Sequence, residues 1–409
     1  MAIISLFSGI FCKEDLLIGK ITESTGYQLV RDIDIIHEAS KIAGISENKI
    51  ERSFSAKTSV FNKFTHERER SIAHLKLALA EKISDKDMII DGFTGQLLPE
   101  TLNHVLRVCL IADMKSRISM AMEKENISEN EAAKLIRKTD EDRASWIKSI
   151  FNKNDPWEQG LYDIIVPTDK MGDEEITALI DKMIQKDVLK FRNSTERALA
   201  DFKLASRIDA ALTREGHNVE VDADDGHITL VINKNVLMLS RLEDELKNIA
   251  SKIPGVKAVD TKVGPGFHQA DIYRKYDFEM PSKVLLVDDE REFVQTLSER
   301  LLMRDMGSAV AYDGESALEL IREDEPEVMI LDLRMPGIDG IEVLKRVKES
   351  QPDIEVIILT GHGSEADREI CMNLGAFAYL HKPVDIDVLS ETIKKANEKI
   401  QKKKAGSSS

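Results

Sequence analysis

The sequence predicts a multidomain α/β protein with three modules. An α/β domain stands at the amino end, a small α+β module of α-β-β-α-β order lies in the middle, and a (βα)5 domain on a parallel sheet closes the chain. Three observations carry this expectation. Short apolar runs separated by helical segments occur near both ends, as expected of strands buried on both faces of a parallel sheet. Between about 200 and 265 the runs instead alternate apolar and polar residues around the turn-forming Asp224-Asp225-Gly226. A chain of 409 residues also exceeds what one ordinary core holds, so two to three domains are expected.

Taken in order, Ile3-Ile-Ser-Leu6 reads as a strand, followed by a loop with Gly9 and Lys13 and a helix through about Glu23. Asp87-Met-Ile-Ile-Asp91 is a second strand, Val105-Leu-Arg-Val-Cys-Leu-Ile-Ala112 a third and Tyr162-Asp-Ile-Ile-Val166 the last of this domain, expected over 1–190. Ser128-Glu-Asn-Glu131 has the form of a capping box, opening a helix toward Arg143. A helix from Glu174 to about Leu204 is expected to join this domain to the middle module at 200–265. There an amphipathic helix ends near Leu212, strands follow at Val219-Glu-Val-Asp222 and His227-Ile-Thr-Leu-Val-Ile232, a second helix runs from Leu239 to Ile253, and a strand begins at Val256. Pro254-Gly255 stops the second helix. A linker is expected over 266–281, the last domain over 282–403 and a solvated, disordered tail over 404–409.

Composition narrows the function. A formal charge of −16 argues against a general nucleic-acid binder, and no DNA-reading motif is visible. Cys12, Cys109 and Cys371 are far apart and form neither a metal-type nor a redox-type pair, which suits a reducing compartment. No apolar run reaches transmembrane length. The first twelve residues lack a basic segment, and bulky Phe11 precedes Cys12 where a lipid anchor needs a small residue, so no membrane anchor and a cytoplasmic location are expected. His217 and His227 have no ligand partners at useful spacing and read as turn or strand-surface histidines.

The chemistry gathers in the last domain. Lys283-Val-Leu-Leu-Val ends in Asp288 and Asp289, Val328-Met-Ile-Leu331 ends in Asp332, Val356-Ile-Ile-Leu359 ends in Thr360, and Ala376-Phe-Ala-Tyr-Leu380 ends near Lys382. In a parallel sheet the carboxyl ends of strands form the functional edge, so these residues are expected in one cleft. Three carboxylates at one place repel unless a cation joins them, and oxygen ligands favour Mg2+. A hydroxyl and an ammonium beside them suit a phosphoryl group, and one carboxylate can act as nucleophile.

This constellation, with Leu331-Asp332-Leu-Arg-Met-Pro-Gly337, Leu359-Thr360-Gly361 and His381-Lys382-Pro383, resembles the flavodoxin-like receiver domain of bacterial response regulators over about 281–403. The resemblance implies Asp332 as phosphoacceptor and Asp288, Asp289 and the Arg334 carbonyl as Mg2+ ligands with it. Thr360 would bond the phosphoryl oxygen and Lys382 would neutralise its charge. Tyr379 stands at the position of the family's rotameric switch, and an ordinary half-buried strand aromatic is the equal alternative. His362 and Arg334 occupy variable rim positions, and His362 is left unassigned. The resemblance further implies a sensor histidine kinase or phosphotransfer protein as donor and allows a receiver-mediated homodimer.

Residues 1 to about 185 resemble nucleoside monophosphate kinases with a P-loop, most closely the cytidylate kinase-like family. The resemblance rests on Arg31-Asp32-Ile-Asp-Ile-Ile36, Asp91-Gly-Phe93, Ile111-Ala-Asp-Met-Lys-Ser-Arg117, Lys138-Thr-Asp-Glu-Asp-Arg143 and Leu161-Tyr-Asp163 with Thr168-Asp169. It implies Lys13, Arg117 and Arg143 as nucleotide-phosphate ligands, with Arg143 on a lid over ATP and CMP as acceptor. The phosphate loop departs from that pattern: Lys13 lacks a preceding glycine and a following hydroxyl residue, and is flanked by Cys12 and Glu14. Phe11 and Cys12 obstruct approach to phosphate, and Glu14 puts negative charge where the metal belongs. A kinase-derived module that no longer catalyses is therefore expected, against a true kinase with an unusual loop. The middle module, through Asp225-Gly-His-Ile-Thr-Leu230 and Ile253-Pro-Gly-Val256, resembles the BON domain and reads as an interaction or spacer module. The expected whole is a cytoplasmic two-component response regulator acting through protein interaction. The alternatives are a receiver-controlled nucleotide kinase for ATP and CMP, and a phosphate sink or relay.

Overall fold

Ile3, Ile4, Leu6 and Phe7 are all buried, so the first strand is covered on both faces and needs a neighbour on each side. The structure, a computed structural model, describes residues 2–57, 59–83, 86–234, 236, 239–268, 283–304, 306–361 and 363–406. The chain falls into two units, Met1–Thr58 with Glu67–Arg274, and Ser59–His66 with Lys275–Ser409.

The first unit runs β1 (Ile3–Ser8), α1 (Glu14–Thr25), β2 (Gln28–Arg31), α2 (Asp32–Ala43) and α3 (Glu47–Glu51). After α4 (Asn62–Thr65), which belongs to the second unit, it continues with α5 (Glu67–Lys82), β3 (Met88–Asp91), β4 (Val105–Ile111), α6 (Met114–Glu125), α7 (Glu129–Phe151), β5 (Ile164–Pro167) and α8 (Asp173–Ile184). The sheet order is β2-β3-β1-β4-β5 with every pairing parallel. One face packs Ile3, Phe7, Ile90 and Cys109 against Leu75, Leu79 and Trp146. The other packs Ile4, Leu6, Val108 and Leu110 against Leu17, Ile18 and Ile176. β2 is an edge strand whose only buried residue is Val30, so it presents no apolar run along the sequence.

Helix α7 opens on the expected capping box: Ser128 and Glu131 bond each other's backbone. It runs on well past Arg143, because Trp146 and Ile147 are fully buried in the core. The single joining helix expected between Glu174 and Leu204 is instead two. α8 stops at Ile184, a 3-10 turn Asp187–Leu189 follows, and α9 runs Asn193–Arg214. Leu189 is buried in the α1–α8 cluster and pins the break, and the Arg192 amide bonds Thr195 Oγ1 to start the new helix.

α9 leads into β6 (Glu220–Asp224), β7 (His227–Ile232), α10 (Leu239–Ala250) and β8 (Ala258–Val263), so the α-β-β-α-β order is present. β6 and β7 are antiparallel and β7 and β8 parallel, over a core of Ile208, Leu212, Leu230 and Leu246. His217 corrects the surface expectation: it is buried, with Nε2 3.4 Å from Glu245 Oε1. His227 is exposed as expected. A 3-10 turn at Pro265–His268 follows, and the expected linker otherwise lies outside the described residues.

The second unit contains β9 (Val284–Val287), α11 (Arg291–Leu302), β10 (Ser308–Ala311), α12 (Gly314–Glu323), β11 (Val328–Leu331), α13 (Gly340–Ser350), β12 (Glu355–Thr360), α14 (Glu365–Asn373), β13 (Ala378–His381) and α15 (Ile386–Gly406). Its sheet is parallel in the order β10-β9-β11-β12-β13. α12, α13 and α14 cover one face through Ile321, Val343, Val347 and Cys371. α11 and α15 cover the other through Val294, Leu301, Leu389 and Ile393. α15 continues to Gly406, past the boundary expected at 403. Among the described residues no helix is long and apolar enough to cross a membrane.

The β6–β7 hairpin turns on two residues in the left-handed region, Asp225 at φ 48 and Gly226 at φ 82. A Cβ at Gly226 would lie 2.8 Å from the Gly255 carbonyl oxygen. Gly226→Ala should therefore lower stability by about 1–3 kcal/mol, read as a lower urea midpoint for signals from this module. A midpoint unchanged from wild type would show that the turn relaxes at no cost.

Candidate functional site

The sheet register of the second unit brings the sequence-predicted residues together. The Asp332 amide donates to Val287 O at 2.9 Å, placing the ends of β11 and β9 side by side. The Lys382 amide donates to Thr360 O at 2.9 Å, placing the lysine beside the end of β12. Ligand oxygens of Asp288, Asp289 and Asp332 all lie within 4.8 Å of one another. Asp288, Asp332 and Thr360 are buried.

Lys382 Nζ is the counter-charge. It lies 2.6 Å from Asp288 Oδ2, 3.3 Å from Asp332 Oδ2 and 3.0 Å from Glu290 Oε1. Its ammonium also sits 4.5 Å from the centroid of the Phe293 ring. Burial by itself would lower the lysine pKa, but the bonds to Asp288 and Glu290 outweigh it and hold the group at about 12. Burial pushes the Asp288 carboxyl up, partly offset by Lys382 and by the Glu290 amide. Asp288 Oδ1 accepts from that amide at 2.9 Å, and Asp332 Oδ1 accepts from the Leu333 amide at 2.7 Å. Asp332 Oδ2 thus faces the ammonium. Glu290 and Phe293 were not singled out in the sequence; the run Asp288-Asp289-Glu290 was the available signal for the first.

The donor set suits a hard divalent cation: three carboxylates at one edge, two of them buried and paired with a lysine. Arg334 stands two residues past Asp332 on the β11–α13 loop with its side chain exposed. Tyr379 turns inward. Its hydroxyl is buried without a hydrogen-bond partner, and a Cβ at Gly363 would lie 1.6 Å from it and 3.0 Å from Thr360 Cγ2. Gly363 is a further residue the sequence reading missed. His362 lies outside the described residues.

In the first unit, Lys13, Arg117 and Arg143 border the β1–α1 loop, and each is engaged internally. Glu14 Oε2 accepts from the Cys12 amide at 2.8 Å and Oε1 from the Phe11 amide at 3.2 Å. Phe11 and Lys13 adopt positive φ, 61 and 58, which non-glycine residues rarely take. Lys13 Nζ pairs with Asp173 at 2.9 Å. Arg117 is buried and forks onto Asp140 at 2.7 and 2.8 Å while its Nε reaches Ile10 O. Arg143 donates to Ser8 O and Thr139 O and stacks 5.4 Å from the Phe93 ring.

The neighbouring β3 loop is closed in the same way. Asp32 accepts from the Phe93 amide, the Thr94 amide and Thr94 Oγ1 at 2.7–2.9 Å. Its carboxylate sits where a Cβ at Gly92 would be. A cleft of about 390 Å³ remains beside these loops, lined by Arg31, Phe54, Asp91, Phe93 and Arg143 among others. Burial, with Asp32 nearby, pushes the Asp91 carboxyl up to about 6.

Residues 284–394 match the response regulator receiver domain, and 11–170 match the cytidylate kinase-like family. The chain is 35% identical over 116 residues to Sporulation initiation phosphotransferase F of Bacillus subtilis (strain 168), which spans 28% of this chain and 94% of that protein. It is 44% identical over 102 residues to Transcriptional regulatory protein CpxR of Escherichia coli (strain K12), covering 25% of this chain and 43% of that protein. It is 34% identical over 110 residues to Response regulator MprA of Mycolicibacterium vanbaalenii, covering 27% of this chain and 48% of that protein. The chain thus spans less than half the length of the last two relatives. Four strand ends that place three carboxylates, a threonine and a lysine at one edge, in a segment so similar to nearly all of a phosphotransferase, show that this chain belongs to the response regulator receiver family.

Proposed function

We propose that the protein is a cytoplasmic two-component response regulator. It accepts a phosphoryl group on Asp332 from a sensor histidine kinase or phosphotransfer protein and signals through its amino-terminal modules by protein interaction. The observation that carries this reading is the Lys382 ammonium held between the buried Asp288 and Asp332 carboxylates. Asp332 Oδ2 attacks phosphorus, the P–O bond forms as the P–N bond of the donor phosphohistidine breaks, and the imidazole leaves with the electron pair and later takes a proton. Asp288, Asp289, Asp332 and the Arg334 carbonyl would hold Mg2+, whose charge offsets that of the phosphoryl oxygens when it is bound. Lys382 neutralises the transferred group, and the Thr360 hydroxyl bonds one of its oxygens. Tyr379 then holds its inward position as the switch. Acetyl phosphate with Mg2+ should label the wild-type chain at one site, and Asp332→Asn should not be labelled, because an amide is not a nucleophile here. Stable label mapped by mass spectrometry elsewhere, with the variant still labelled, would overturn the assignment.

The switch reading makes Gly363 a second test. Gly363→Ala should drive the Tyr379 ring out of its inward place, seen as a shifted ring resonance by NMR, with Asp332 labelling retained. An unchanged ring resonance would separate Tyr379 from this packing.

The amino-terminal domain is, in this reading, a cytidylate kinase-like module with a degenerate phosphate loop that does not transfer phosphate. Backbone amides that would cradle a phosphate are bonded to Glu14, and Lys13, Arg117 and Arg143 already have internal partners. The middle module, with its BON-like motifs, serves protein contacts. Full-length protein should transfer phosphate from ATP to CMP negligibly. Turnover of about 1–1000 per second would support the receiver-controlled kinase instead. Glu14→Ala should free the Phe11 and Cys12 amides, so that added phosphate shifts their NMR signals in the variant and not in wild type. Equal shifts in both would show that Glu14 does not close the loop.

A further inference from the structure

Residues Ser59–His66 are part of the second unit, while the chain on both sides of them, 1–58 and 67–274, forms the first. Phe61 is fully buried and belongs to the same apolar cluster as Leu285, Val287, Ile321 and Met329 of the receiver. The Lys283 ammonium lies 5.8 Å from the centroid of its ring. Lys283 is buried and paired at 2.9 Å with Asp324 Oδ1, also buried. The other oxygen, Asp324 Oδ2, accepts a hydrogen bond from Ser59 Oγ. Ser59 Oγ accepts in turn from the Phe61 amide at 3.1 Å, which orients the ring. The turn is closed behind it: the Thr65 amide donates to Phe61 O, and Thr65 is buried.

Lys283 precedes β9 and Asp324 follows α12, so the socket lies at the amino ends of the strands, the opposite end from Asp332. It is separate from the phosphoacceptor cleft. A fully buried phenylalanine joined to a hydroxyl on a buried carboxylate combines apolar burial with a charge-assisted bond, the pairing expected of a retained ligand.

We propose that Ser59–His66 is a built-in docking strap. The receiver carries a second contact surface at the amino ends of its strands, and the occupant is this aromatic-bearing segment of the same chain. The strap is covalently continuous with α3 and α5 of the amino-terminal unit. This deepens the response-regulator reading by naming the partner of the receiver as the chain's own segment.

Hydrogen exchange followed by mass spectrometry on the full-length chain tests it, with acetyl phosphate labelling of Asp332 as an independent check. Amides of 60–66 should be protected in wild type. Phe61→Ala should speed their exchange at least about tenfold, Phe61→Leu should keep most of the protection, and Asp332 labelling should persist in both. Exchange at free-chain rates in wild type, or no change in Phe61→Ala, would overturn the strap. Protection that falls on dilution would assign the socket to a second copy and overturn the intramolecular occupant. If Phe61→Ala loses labelling through unfolding, Ser59→Ala removes only the bond to Asp324. It should speed exchange of 60–66 several-fold with labelling intact, and no change there would sink the proposal. Failure of the response-regulator reading would appear separately, as absent Asp332 labelling in wild type.

Discussion

Lys382 is the residue that lets buried carboxylates share one strand edge. Parallel pairing of β9 with β11 puts the residues after both strands side by side, and those residues are Asp288 and Asp332. Burying either as an isolated anion would be costly, so a counter-charge is a condition of this sheet register. The ammonium reaches both because its own backbone is tied to the end of β12. Removing one partner of such a buried pair typically costs about 3–5 kcal/mol. The ammonium that gathers the two carboxylates is therefore also what makes their burial at this edge tolerable.

The amino-terminal sheet meets the converse problem. Its carboxyl edge presents loop amides, which attract anions. Glu14 and Asp32 supply carboxylates from within the chain, at hydrogen-bond distances to four amides in two loops. The same economy holds for the cations: Arg117 forks onto Asp140, and Lys13 pairs with Asp173. At this edge the amides and the cations are bonded to groups of the chain itself.

These two edges divide the chemistry of the chain. One gathers carboxylates around an ammonium; the other bonds its loop amides to carboxylates of the chain itself. Between them in sequence, the three-stranded module rests on an apolar core with a tight two-residue hairpin and shows a second, mixed charged cleft near Arg197, Arg207 and Lys257. Lys257 is paired with Asp225 and Arg207 with Glu81.

Much of the fold was legible because buried parallel strands read as unbroken apolar runs: β1, β9, β11 and β12 are buried at every position. Two of the four edge strands were not legible: Gln28–Arg31 and Ser308–Ala311 offer only a short apolar signal beside polar or small residues, and hydrogen bonding to a neighbouring strand makes them strands. The cleft residues were legible because the carboxyl end of a strand is a fixed place in a parallel sheet, so spacing alone assembled Asp288, Asp289, Asp332, Thr360 and Lys382. The sequence by itself determined which residue types reach that edge and that the Lys13 loop lacks its glycine and hydroxyl. Only the tertiary structure decided where Glu14 points, that Gly363 lies over the Tyr379 hydroxyl, and that Phe61 is buried in the receiver's core. The physical reason is common to all three: each depends on contacts between side chains and backbone whose partners are chosen by packing in space, which periodicity along a chain does not encode.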